Sequence, residues 1–151
     1  MASPKRALIC GISGQDGTFL TELLLGKGYE VTGTSRDAGG SEFRNLKARG
    51  LRDRVRLVSM NLTDFRSVLQ VLTQVQPDEI YNLAAQSSVS LSFEQPIDTF
   101  DSVAVAALNL LEAIRFMGRP TRLYNACSSE CFGDTGDAPA SEDTPFRPNS
   151  P

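Results

Sequence analysis

Three glycines stand at a spacing suited to holding a phosphate: Gly11-Ile12-Ser13-Gly14-Gln15-Asp16-Gly17. The apolar run Ala7–Cys10 precedes this loop, and the helix-like stretch Thr18–Gly26 follows it. Strand, glycine loop and helix form the setting that a dinucleotide-binding turn requires. Glycines let the backbone approach a pyrophosphate, and a new helix offers unpaired N–H groups and the positive end of its dipole. The expected chemistry is the holding of a nucleotide cofactor, with Gly11 through Gly17 wrapped around its pyrophosphate. The spacing is G-x-x-G-x-x-G, not the commoner G-x-G-x-x-G, and an ordinary glycine-rich turn is the alternative reading.

Composition narrows the remaining chemistry. The 151 residues point to one domain, and a 40% hydrophobic content is enough for a sizeable core. A net charge of −3, with Lys and Arg scattered, argues against a nucleic-acid partner. No apolar run approaches the roughly 18 residues of a membrane span. The absence of histidine excludes His-based zinc sites and His-dependent triads, and no metal site is expected. Cys10, Cys127 and Cys131 are odd in number and lie in or beside apolar runs. They read as buried free thiols of a cytosolic protein. Met1-Ala2-Ser3-Pro4-Lys5-Arg6 leads straight into a strand, which reads as no signal peptide and a cytoplasmic location.

Apolar periodicity supplies the elements that must position the loop. Strand-like runs are Ala7–Cys10, Glu30–Thr34, Val55–Met60, Glu79–Ala84 and Arg122–Cys127. Each is short and apolar, as parallel strands buried on both faces should be. Thr18–Gly26 sets Phe19, Leu20, Leu23 and Leu24 on one side. Ser41–Arg49 is a weaker, charged helix, and Phe65–Val75 follows a cap at Thr63 or Asp64. Thr99–Phe116 is long, with Ala104, Ala107, Leu108 and Leu111 at helical spacing. This alternation predicts an α/β fold, a Rossmann-like doubly wound parallel sheet with its ligand at the carboxyl ends of the strands. The Pro-rich end, 137–151, reads as a loop outside a nucleotide-binding domain spanning 1–136.

The glycine loop resembles one family when taken with four further strings. These are Asn61-Leu62-Thr63-Asp64, the run from Gln76 through Pro77-Asp78-Glu79-Ile80-Tyr81-Asn82-Leu83-Ala84-Ala85 to Gln86-Ser87, Leu110-Leu111-Glu112-Ala113-Ile114-Arg115, and Ser128-Ser129-Glu130-Cys131-Phe132-Gly133. The chain is similar, from Ala7 to Pro151, to the extended short-chain dehydrogenase/reductases, and within them to the GDP-mannose 4,6-dehydratase family. The resemblance implies tightly held NADP that is returned unchanged in each turnover. It implies oxidation of GDP-mannose, or a related sugar nucleotide, at C4, loss of water across C5 and C6, and return of the hydride to C6. The product is a 4-keto-6-deoxy sugar nucleotide.

The resemblance also assigns residues. Asn61 and Leu62 fall beside the adenine, with Asn in place of the family's Asp; a strand-end turn residue is the other reading of Asn61. Arg36, at the end of the second strand, can pair with a 2′-phosphate, while Asp37 beside it can accept from the 2′-hydroxyl of NAD. Leu83, Ala84, Ala85, Gln86 and Ser87 lie along the nicotinamide. Ser88 and Ser129 face the substrate. Asp98 stands where the family often has a cofactor-contacting Tyr. Ser128 matches the group that hydrogen-bonds the C4 hydroxyl, and Glu130 matches the base that takes the C5 proton. An i+2 spacing in an extended segment would aim both toward one cleft. Such a base needs partial burial to raise its pKa; a solvated loop acid is the alternative.

The family's Tyr-x-x-x-Lys is absent, since Tyr29, Tyr81 and Tyr124 are followed at the fourth place by Gly33, Ala85 and Ser128. The expectation is an N-terminal fragment, truncated before the substrate domain and without complete turnover as given. It would leave an exposed sheet edge prone to association. The helix Thr99–Phe116 corresponds to one that joins a four-helix bundle between subunits, which implies a homo-oligomer. An epimerase or reductase of 4-keto sugar nucleotides, which needs no C5 base, and a non-catalytic NADP sensor are the competing functions.

Overall fold

A computed structural model describes residues 3–136 and 138–151. Met1, Ala2 and the expected domain boundary at Asp137 lie outside the described residues. The elements run β1 (Arg6–Cys10), α1 (Gln15–Gly26), β2 (Glu30–Ser35), α2 (Arg44–Ala48), β3 (Arg56–Ser59), α3 (Phe65–Val75), β4 (Glu79–Asn82), α4 (Val89–Glu94), α5 (Pro96–Phe100), a π-helical turn Asp101–Val105, α6 (Ala106–Met117) and β5 (Arg122–Asn125). All five strands are parallel, in the order β3-β2-β1-β4-β5.

Central β1 has no polar face. Ala7 and Ile9 enter one core with Leu24 of α1 and Leu46 of α2. Leu8 and Cys10 enter the other with Val68, Val71, Leu72 and Val75 of α3 and Leu110 and Ala113 of α6. A strand apolar on both sides must be covered twice, and this is the expected doubly wound arrangement. Edge strands β3 and β5 are only half-buried. Both, like β4, stop short of the apolar runs that announced them.

Helix α3 keeps its expected bounds, and Asp64 supplies the cap, its carboxylate accepting the Arg66 N–H at 2.9 Å. Three other helices depart from expectation. Helix α1 starts earlier, at Gln15, and buries Gly17, Thr18, Thr21 and Leu24, while Phe19 and Leu23 face outward. Thr18 and Thr21 can turn inward because their hydroxyls donate to the carbonyls of Gly14 and Gly17 at 2.8 and 2.7 Å. Phe19 lies instead under the Arg49 guanidinium, 4.8 Å from its ring centre. Helix α2 is shorter than Ser41–Arg49, because Phe43 adopts a left-handed conformation at its start.

The single helix expected over Thr99–Phe116 is divided into α5, the π-turn and α6. Its inward residues are Ala106, Leu110 and Ala113, whereas Leu108 and Leu111 are 58% and 53% exposed. Ala104 is exposed as well. A helix that is apolar nearly all round does not reveal by periodicity which face is inward.

All three cysteines are free, but only Cys10 is buried; Cys131 is intermediate and Cys127 exposed. Cys127 lies past Asn125, the last ladder residue of β5. Residues 138–151 form no helix or strand, yet they fold back: the Arg147 N–H donates to the Cys131 carbonyl at 2.9 Å, and the Phe132 and Phe146 rings meet edge to face at 5.5 Å. No helix among the described residues is long and apolar enough to cross a membrane.

Candidate cofactor and catalytic site

Parallel strands place every loop that follows a strand at one edge of the sheet. All the candidate residues from Gly11 to Glu130 gather there. The strand order reverses between β1 and β4, and their two loops touch. Gly11 has φ +82°, and a side chain on it would come within 2.9 Å of the Leu83 carbonyl. The Leu83 N–H donates to the Cys10 carbonyl at 3.0 Å. A side chain at Gly17 would come within 2.5 Å of the Gly11 carbonyl, so loop and helix pack backbone to backbone.

Helix α1 is capped by Gly14, which provides no side-chain acceptor for its first turn. The N–H groups at that end are left for a ligand or water. Ser13, Gly14, Gln15 and Asp16 are exposed, while Ile12 is wholly buried. Ile12 therefore anchors the loop, and only its backbone can face a phosphate. The residues present fit a cofactor's pyrophosphate: a close backbone approach and a helix start with no side-chain cap.

Arg36 is exposed just past β2. The Asp37 carboxylate beside it turns back and accepts the N–H groups of Gly39 and Gly40 at 3.0 and 2.9 Å. Asn61, past β3, uses its side-chain oxygen Oδ1 in a local turn, accepting from the Thr63 N–H and hydroxyl at 3.2 and 3.0 Å. Leu62 is partly buried against the core, and its carbonyl accepts from Asn109 of α6 at 2.8 Å.

Past β4, Leu83 and Ala84 are half-buried, while Ala85, Ser87 and Ser88 are exposed. The Gln86 side chain closes this turn by donating to the Ser88 carbonyl at 2.7 Å. Ser88 caps α4. Ser102 of the π-turn accepts the Gln86 N–H at 3.3 Å.

Past β5, Ser128 caps a single 3₁₀ turn over Ser129–Phe132, its hydroxyl accepting the Glu130 N–H at 3.2 Å. The segment is coiled, which corrects the extended geometry expected from the i+2 spacing. Ser128, Ser129 and Glu130 are all exposed, as is Asp98 on α5. The described residues do not enclose Glu130.

Two contacts that position the site were not identified from the sequence. Asn82 donates to Asn125 at 2.7 Å, linking the ends of β4 and β5 beneath the loops. A signal existed: both strands end in an aliphatic residue followed by Tyr-Asn, and parallel pairing sets Tyr81 beside Tyr124 and Asn82 beside Asn125. Asn45 donates to the Ser13 carbonyl at 3.0 Å, and no local pattern announces that contact.

Comparison with known proteins bears on this geometry. The family model described as GDP-mannose 4,6 dehydratase matches residues 8–151. The chain is 47% identical to GDP-mannose 4,6 dehydratase 2 of Arabidopsis thaliana, over 97% of its own length and 42% of that protein's. It is 44% identical to a GDP-mannose 4,6-dehydratase of Vibrio cholerae, over 97% and 41%. Among solved structures, a UDP-glucose 4-epimerase of Thermus thermophilus in complex with NAD superposes with a TM-score of 0.82 at 30% identity, covering 96% of this chain and 45% of that one. The chain spans less than half the length of the curated relatives it matches. With a family match running over nearly its full length, from the first strand to the last residue, the chain belongs to the GDP-mannose 4,6-dehydratase family.

Proposed function

We propose that this chain is the cofactor-binding part of an enzyme that converts GDP-mannose to its 4-keto-6-deoxy derivative in the cytosol, with NADP as a recycled cofactor. The observation that carries this reading is the meeting of the glycine loop, the Leu83–Ser88 turn and the Ser128–Glu130 turn at one sheet edge of a family member. A nicotinamide cofactor held there supplies removal of hydride from C4 of the hexose and its return at C6. Gly11–Gly17 bind its pyrophosphate through backbone N–H groups. Leu83–Ser87 bound its nicotinamide side, and Asn61 and Leu62 flank the adenine.

Arg36 favours NADP because its guanidinium can pair with a 2′-phosphate. The Asp37 carboxylate is committed to the Gly39 and Gly40 N–H groups, which weakens the case for its holding a ribose hydroxyl. Ser128 hydrogen-bonds the C4 hydroxyl. Once C4 is a ketone the C5 proton is acidic, the Glu130 carboxylate takes it, and the C6 hydroxyl accepts that proton from Glu130 and leaves as water, restoring the carboxylate. Removal of the C4 hydroxyl proton requires a Tyr and Lys at the family's spacing, which these 151 residues do not contain.

Two copies associate through the outward apolar face of α4, α5, the π-turn and α6. There Ile97, Phe100 and Leu108 are 74%, 63% and 58% exposed. Exposed apolar surface contiguous over several turns marks an interaction site.

The deciding experiment mixes the full-length natural product of this gene with GDP-mannose and NADP, and follows the sugar nucleotide by mass spectrometry. Loss of one water without net NADPH is the expected result. An unchanged sugar nucleotide with NADP bound overturns the substrate assignment and leaves the cofactor site standing.

A further inference from the structure

The Asn45 side-chain amide reaches across 32 positions of sequence to the Ser13 carbonyl, in the middle of the glycine loop. Asn45 comes from α2, which follows directly on left-handed Phe43 (φ 47°, ψ 48°). A bulky residue keeps that conformation only where its surroundings over-determine it. Phe43 is buried in the core that also holds Ile12, Leu24 and Leu46, with the Arg52 guanidinium 5.6 Å from its ring centre. This anchor fixes how the chain enters α2, and two residues later Asn45 lies against the loop.

The start of the same segment is equally braced. The Ser35 and Ser41 hydroxyls are 3.0 Å apart, and the Ala38 N–H donates to the Ser59 hydroxyl at 3.0 Å. Arg36 emerges from this braced turn and makes no ion pair among the described residues. Segment 35–45 is therefore held at one end by the sheet and at the other by the glycine loop, with one free guanidinium between.

We propose that Asn45 is a positioning residue: by tying segment 35–45 to Ser13 it holds Arg36 at a fixed distance from the pyrophosphate loop, and so sets the discrimination between NADP and NAD. This rests on the cofactor reading given above. The pyrophosphate and the 2′-phosphate belong to one adenosine unit of limited reach. Two anion-binding elements serve both only if their separation is fixed. The glycine loop itself is anchored by Ile12 and α1 and survives loss of the tie.

The test is calorimetric titration of the full-length protein with NADP and with NAD, for the wild type, Asn45→Ala, Arg36→Ala and the double variant. Asn45→Ala should weaken NADP by roughly fivefold, the scale of one lost hydrogen bond, and NAD by less than about twofold. The double variant should match Arg36→Ala alone, because both substitutions remove the same contact. Asn45→Ser, too short to reach Ser13, should repeat the effect, with an unchanged melting temperature showing that both proteins fold. An equal loss for both cofactors, no loss, or additive losses overturn the proposal. A wild-type protein that binds neither cofactor overturns the parent reading instead, and Asn45 with it.

Discussion

Glu130 is the residue on which the proposed chemistry turns. It is exposed on a 3₁₀ turn, and its neighbour Ser128 caps that turn by accepting the Glu130 N–H. Replacing Glu130 by Gln keeps the cap, because the cap uses the backbone N–H. Turnover of the full-length enzyme should then stop after C4 oxidation and leave reduced cofactor bound, read as nicotinamide absorbance without loss of water. Ordinary turnover by Glu130→Gln would refute the assignment. The cysteines give a second residue-scale expectation. Burial pushes the Cys10 thiol up to about 12, and the thiolate is the reactive form. In the native protein an aromatic disulfide reagent should label Cys127 quickly and Cys10 only after unfolding; prompt reaction of Cys10 would show that β1 is not sealed. The glycine loop and its start of helix were legible because spacing and context coincide. Ser128 and Glu130 are singled out only through resemblance and remain proposals, since two polar residues after a strand carry no chemistry by themselves. Asn45 was illegible because its partner is a backbone carbonyl 32 positions away.

Legibility of the elements tracked how one-sided each was. Helix α3 has an apolar stripe, a polar back and an Asp cap, so its bounds were readable. Helix α6 is apolar on two faces, so its end near Phe116 was readable but its start and its inward face were not. The two faces give opposite expectations on substitution. Leu110→Ala opens a cavity in the core beside Leu8 and Val71 and should cost about 2–5 kcal/mol in urea unfolding. Leu108→Ser removes an exposed side chain and should leave monomer stability within about 0.5 kcal/mol, while weakening self-association in sedimentation. If Leu108→Ser costs as much as Leu110→Ala, the face is internal and the subunit contact lies elsewhere.

Across the whole molecule the two edges of the sheet have different tasks. The carboxyl edge carries the loops of the site, and the amino edge carries a charged hub. There Glu79 accepts hydrogen bonds from Tyr81 at 2.8 Å, Lys5 at 3.2 Å and Tyr29 at 3.3 Å, while Arg119 pairs with Asp78 at 3.1 Å. The Tyr81 hydroxyl, helped by Lys5, holds the Glu79 carboxyl below its ordinary value, against the opposing effect of burial. A carboxyl depressed in the folded state stabilises the fold above its ordinary pKa, and that stability is lost as pH falls through the depressed value. The urea midpoint should therefore fall on acidification below about pH 4.5, and Glu79→Gln should flatten that dependence while lowering stability at neutral pH. An unchanged pH profile in Glu79→Gln would remove the hub from the account. Alternation of strand and helix made the sheet readable, whereas this hub was not, because its partners come from three separate strands and their flanks.

The strand ends at the carboxyl edge belong to segments spread from Gly11 to Glu130, and they converge only when all five strands are in register. A cofactor bound there as proposed grips all of them together, so it acts as a folding aid as well as a reagent. Mass action gives about 2.7 kcal/mol of protection at a hundredfold excess over its dissociation constant. For a protein of ordinary stability, that is a substantial part of what keeps it folded. The cellular supply of the cofactor then governs how much intact protein survives proteolysis, independently of how fast any of it turns over.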